Sequence, residues 1–146
     1  MEQGENKRQH LQFIQDVITR MSGNSFLLRG WSVTLITAIV GFALKSQGAT
    51  YGTYLLFTAI FLVVVFWVLD AYYLSQERAY RSLYKEVSKK SEPSIDYSLD
   101  ASGYVKGYNT WFSSMFSPIF ITFYLPVLIG LLLVCSRFIH IEIYIK

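Results

Sequence analysis

Asp70 closes the oily run "FLVVVFWVL" (61–69), and its carboxylate stands where the sequence least tolerates one. A charge at membrane depth is costly and is found paired or at work. Its helical neighbours at three and four residues are Phe66, Trp67, Tyr73 and Leu74, so nothing basic on its own helix can neutralise it. Arg29, inside an earlier apolar run, is the candidate partner. Three chemistries are open to Asp70: an interfacial carboxylate wetted by headgroup water, a structural ion pair with Arg29 within one subunit or between two, and a proton or ion relay.

The remaining reactive residue types are scattered. His10 and His140 fall on opposite sides of the membrane in the topology derived below, and Cys135, the single cysteine, lies within an apolar stretch where burial leaves it inert. Asp96 and Asp100 are four apart, but no further carboxylate or amide follows at calcium-ligand spacing, so they read as part of a solvated loop. The sequence contains no glycine-rich phosphate loop, paired metal motif or nucleophile elbow. An enzyme is therefore not expected, nor a cofactor, nor a metal. Internal repeats are also missing, which argues against a transporter of inverted halves.

These residues must be positioned by membrane helices. The chain of 146 residues is 53% hydrophobic and 16% charged, too oily for an ordinary soluble domain. A helix needs about 20 mostly apolar residues to cross the hydrocarbon. Spans are expected over 25–45, 51–74 and 117–138, giving an all-α integral membrane protein of three spans in a single domain. The polar stretch before the first span, with no small-residue cleavage site, argues against a removable signal peptide.

Basic residues set the orientation. Lys7, Arg8, Arg20 and Arg29 in the N-terminal part, with Arg78, Arg81, Lys85, Lys89, Lys90 and Lys106 between the second and third spans, put ten on one side, against Lys45, Arg137 and Lys146 on the other. The N-terminus is expected in the cytoplasm and the C-terminus outside. The charge of +3 then reflects topology and gives no reason to invoke nucleic acid.

Folding the first two spans about the turn "KSQGATYG", centred near Ala49, brings Trp31 and Trp67 to one level, as an aromatic belt requires, and Arg29 and Asp70 to the same end of the hairpin. The second helix should not stop at the membrane surface. Glu77 precedes Arg81 by four and Glu86 precedes Lys90 by four, the favourable order for surface pairs, while Tyr73, Tyr80, Tyr84 and Val87 mark a less polar stripe. A cytoplasmic extension over 75–90 is expected, ending before Pro93.

That stripe needs a cover, and residues 1–23 supply one: Leu11, Ile14, Val17, Ile18 and Met21 recur at helical spacing, in an amphipathic helix expected to stop near Gly23, with Asn24 or Ser25 capping the first span. Packing of Leu11, Ile14 and Ile18 against Tyr80 and Tyr84 is one reading; a helix lying on the lipid surface is the other. Residues 91–116 read as a loop with one turn of helix. In the third span Pro118 marks a start and Pro126 a kink. The outer tail, 139–146, alternates "FIHIEIYIK"-fashion with a strand's period and is either a strand paired with neighbouring subunits or a fraying end. Along the first span Gly30, Thr34, Ala38 and Gly41 share one face of small residues, suited to packing within the chain, to a homo-oligomer, or to lining a pore.

"KRQHLQFIQDVITRMSGNSFLLRGWSVTLITAIVGFALK" (7–45) and the layout that follows it resemble small bacterial multi-span membrane effectors of anti-phage defence, such as the two-span families associated with nucleotide second-messenger systems. The third span departs from the two-span pattern. The resemblance implies an oligomeric effector of the bacterial inner membrane that perturbs that membrane or opens a channel when a cytosolic sensor or signalling protein reports infection. The alternative is a membrane anchor or regulatory subunit that holds a soluble partner through its cytoplasmic helices. On the basic-residue count, a reporter fused after Lys146 is expected to be active only outside the cytoplasm and one inserted near Ser94 only within it; matching locations would mean that the third span is re-entrant or that just two spans cross.

Overall fold

The computed structural model describes residues 4–46 and 50–145, of which residue 50 and residues 141–145 by backbone alone. The described elements are all helical: α1 (Glu5–Lys45), α2 (Thr50–Lys89), α3 (Trp111–Met115), a π-helical turn (Phe120–Tyr124) and α4 (Leu125–Ile145), with three short 3-10 turns between α2 and α3. Three helical stretches, Glu5–Lys45, Tyr51–Lys89 and Trp111–His140, are long and apolar enough to cross a membrane. The centre of the expected hairpin turn, Gln47 to Ala49, lies outside the described residues, as do Met1 to Gln3 and Lys146.

Two expected boundaries are corrected. The helix does not stop near Gly23 and restart at Asn24 or Ser25; α1 runs unbroken for 41 residues. A lone glycine costs a helix only about 1 kcal/mol relative to alanine, no proline follows it, and both flanks are long helical segments. Nor does the tail form a strand. Its backbone continues α4 to Ile145, which satisfies every amide internally, whereas an isolated strand would leave them open.

The chain folds as two compact units, residues 1–26 with 71–114, and residues 27–70 with 115–146. In the first, Ile14 and Ile18 of α1 pack with Ala79, Leu83 and Val87 of α2, flanked by Leu11, Tyr80 and Tyr84. The tyrosines border this core, and smaller residues at a spacing of four fill its centre. Ile95 and Ala101 are also buried in it. The segment after α2 is the expected loop with one turn of helix, α3, but it is held in place: two apolar side chains pin it and side chains of α2 take up its polar groups.

Arg78 is the main clamp. Its Nη1 donates to the Tyr108 carbonyl at 3.1 Å and to Ser114 Oγ at 3.2 Å, its Nη2 donates to the Tyr108 hydroxyl, and its guanidinium sits 3.9 Å over the Tyr108 ring. Asn109 Nδ2 donates to Ser82 Oγ and to the Tyr104 carbonyl. Asp96 and Asp100 accept the backbone N–H groups of Ser98 and Ser102, which makes them turn residues. The Tyr104 hydroxyl is pushed up to about 12, chiefly by its hydrogen bond to Glu86, then by burial.

Helix ends in this unit cap one another. Lys7 Nζ donates to the carbonyls of Ser88 (3.0 Å) and Lys90 (2.7 Å) at the end of α2, groups that a helix cannot satisfy by itself, and Glu92 Oε1 accepts the Lys7 N–H in the first turn of α1. Each charge also meets the favourable end of a helix dipole.

In the second unit Ile36, Ala59, Val63, Tyr124 and Leu131 form one core, and Ala43, Leu56, Cys135 and Phe138 another. Gly52 permits the close approach in the latter: a Cβ there would lie 2.6 Å from the Phe138 ring and 3.2 Å from the Ala43 carbonyl. The kink expected at Pro126 takes the form of the π turn just before it. Leu125 N–H reaches back five residues to the Phe120 carbonyl, and the widened turn makes room for a proline that can neither donate nor tolerate the carbonyl four residues before it. Arg78→Ala should speed tryptic cleavage after exposed Lys106, whereas Arg81→Ala, which removes only a surface pair with Glu77, should leave the rate unchanged; equal rates in the two would show that Arg78 does not hold the segment.

Candidate functional site

The second unit brings Arg29 and Asp70 together. Arg29 Nε donates to Asp70 Oδ2 at 2.9 Å and Nη2 to Oδ1 at 3.3 Å, so that both carboxylate oxygens are engaged by the planar fork of the guanidinium. Asp70 is 2% exposed, while the Arg29 side chain is 27% exposed. Long enough to reach, arginine keeps its stem at the edge and spends its donors on the buried acid.

Around the pair the polar groups are also occupied. Tyr124, 2% exposed, points its single hydroxyl proton between two acceptors, the Asp70 carboxylate and the Phe66 carbonyl at 3.4 Å. Ser32, one turn beyond Arg29 and 1% exposed, donates Oγ to the Arg29 carbonyl at 2.8 Å. Trp67 Nε1 donates to the Met115 carbonyl at 2.9 Å, satisfying the end of α3, and its ring stacks on Phe120 at 4.5 Å. Trp31, by contrast, is 60% exposed.

The arrangement is that of a two-point ion pair: the guanidinium does not release its proton, and two of its donors hold the Asp70 carboxylate. Among the described residues, no group of three or more His, Cys, Asp or Glu side chains is placed to hold a metal. His10 and Cys135 are buried, in the first and second units respectively.

The small-residue face lies elsewhere on α1. Gly30, Thr34, Ala38 and Gly41 are all exposed, and a Cβ added at Gly30 or Gly41 would meet no atom within 4 Å. Packing within the chain uses the opposite side of the helix, Ser32, Ile36 and Ala43. Ser32 and Tyr124 are the site residues that sequence reasoning missed. Tyr124 left one signal, a hydroxyl in an apolar run beside a proline; Ser32 left none, since a serine in such a helix suits either face.

No family model, curated protein or solved structure matches the chain. If the pair holds the second unit together, Asp70→Asn alone should cost about 3 kcal/mol by stranding Arg29, and the exchange of both charges, Arg29→Asp with Asp70→Arg, should recover part of that in thermal unfolding. Stable single variants with no gain in the double would remove the pair from this role.

Proposed function

We propose that the chain is an integral protein of the bacterial inner membrane that crosses it three times, assembles with copies of itself through the small-residue face of α1, and acts as an effector that breaches the membrane. In this reading residues 27–70 and 115–146 lie in the bilayer, and residues 1–26 and 71–114 form a cytoplasmic unit that receives the signal, as in defence against phage. The exposure of Gly30, Thr34, Ala38 and Gly41, opposite the side of α1 on which Ser32, Ile36 and Ala43 are buried, carries the reading. In lipid, small side chains add little contact with acyl chains but let a second helix approach closely.

The inward-facing alternative, a pore within one chain, has no support from the Arg29 and Asp70 pair, whose charges are spent on each other. Any pathway would form between subunits. The anchor reading draws on a different observation, the well-packed first unit with its own core and capped helix ends, which could hold a soluble partner without any leak.

Ala38→Leu separates the two. The added bulk should block close approach while leaving insertion intact, because leucine is the more hydrophobic residue. The variant should reach the membrane, lose its oligomer in detergent and fail to depolarise cells, as followed by a membrane-potential dye with the neighbouring genes present. Val33→Leu, at a site 48% exposed and well round the helix from Ala38, is the matched control and should behave as the parent. Ser32, off the small face, cannot serve as that control because it is buried. Undiminished depolarisation by Ala38→Leu, or none by the parent, would favour the anchor.

A further inference from the structure

On the first unit, Asn6, Gln9, His10, Phe13, Tyr97 and Leu99 line an open pocket of about 450 Å³, within the size range of small-molecule sites. Three observations set it apart from an ordinary surface depression. His10 is 4% exposed, yet its Nε2 is shielded from solvent with no hydrogen-bond partner among the described residues, a state that native structures seldom keep without a reason. Tyr97 is the only described non-glycine residue with a positive φ, 55°, a strained conformation for a residue of its size. Phe13, Tyr97 and Leu99 hold large apolar surfaces, 41–49% exposed, around the same opening.

The lining selects the ligand. Two aromatic side chains can stack on any flat π system. Asn6 and Gln9 each present a donor and an acceptor side by side, the pattern that pairs with the edge of a base. An imidazole nitrogen can give or take one further hydrogen bond. No lining residue is a lysine, an arginine or a carboxylate, so an anion finds no fixed counter-charge, and an aliphatic ligand would leave the amides and the imidazole unmatched.

We propose that this pocket binds a neutral planar heteroaromatic ring of the nucleobase class, stacked against Phe13 and Tyr97 and hydrogen-bonded by Asn6, Gln9 and His10. Tyr97, whose ring stands edge-on to His10 at 5.4 Å, has to shift within the pocket for a ring to reach His10 Nε2, which is shielded from solvent in the unliganded chain. The site is independent of whether the spans form a leak or an anchor.

The test uses the full-length protein in detergent, titrated calorimetrically with adenosine, guanosine, cytidine and uridine, with ribose as the non-aromatic control. At least one nucleoside should bind saturably and ribose should not. Phe13→Ala, at a half-exposed position, should weaken binding about five- to hundredfold without lowering the melting temperature. His10→Phe, which replaces a buried unpartnered nitrogen by an apolar ring, should leave the melting temperature unchanged or raised while binding falls. Absence of saturable binding by any nucleoside at about 10 mM to folded protein, or binding undiminished in both variants, would overturn the proposal.

Discussion

One carboxylate in an apolar helix governs the second unit. Asp70 must be neutralised where it lies, and the guanidinium that does so comes from 41 residues earlier in the chain. Once α1 and α2 are tied there, Ser32, Ile36 and Ala43 are committed to the inside, and Gly30, Thr34, Ala38 and Gly41 are committed to the outside. The ion pair thus contributes orientation as well as stability, since a helix apolar all round has no amphipathic stripe to fix its rotation. Tyr124 extends the same constraint to the third helical stretch.

The first unit reaches order by other means. Its core is modest, and much of its definition comes from charged side chains that reach orphan backbone groups: Lys7 on the end of α2, Glu92 on the start of α1, Arg78 on the segment that follows. Each is long, flexible and easily read from sequence as mere surface charge. A charge-assisted hydrogen bond to a carbonyl that would otherwise be unpaired contributes more than a solvated ion pair of the Arg81 and Glu77 kind.

Sequence periodicity revealed what depended on period and charge. Ile14 and Ile18 recur at helical spacing among polar residues, so their face was readable; Asp70 lacked a basic neighbour on its own helix, so its partner had to come from another. The phase of α1 in the second unit was not readable, because serine and alanine suit either face: Ser32 and Ala43 are buried, Ala38 and Thr34 are not. Gly23 was not readable as helix interior, nor Ile95 and Ala101 as core, for a related reason. A local breaker or a polar composition describes the chain's own preference, and tertiary packing of long flanks, or two buried apolar side chains, overrides it.

The π turn at Phe120–Tyr124 has a consequence for how this helix can vary. A π turn is, in effect, one residue inserted into an α-helix, and it offsets everything beyond it by about 100°. Ile119 and Phe120 before the turn and Leu131 after it therefore obey two different angular clocks while serving one core. A single-residue deletion within the turn would heal into plain α-helix, yet it would swing one set of side chains away from its core while leaving the other in place. Length, at this point of the chain, is as strictly specified as residue type.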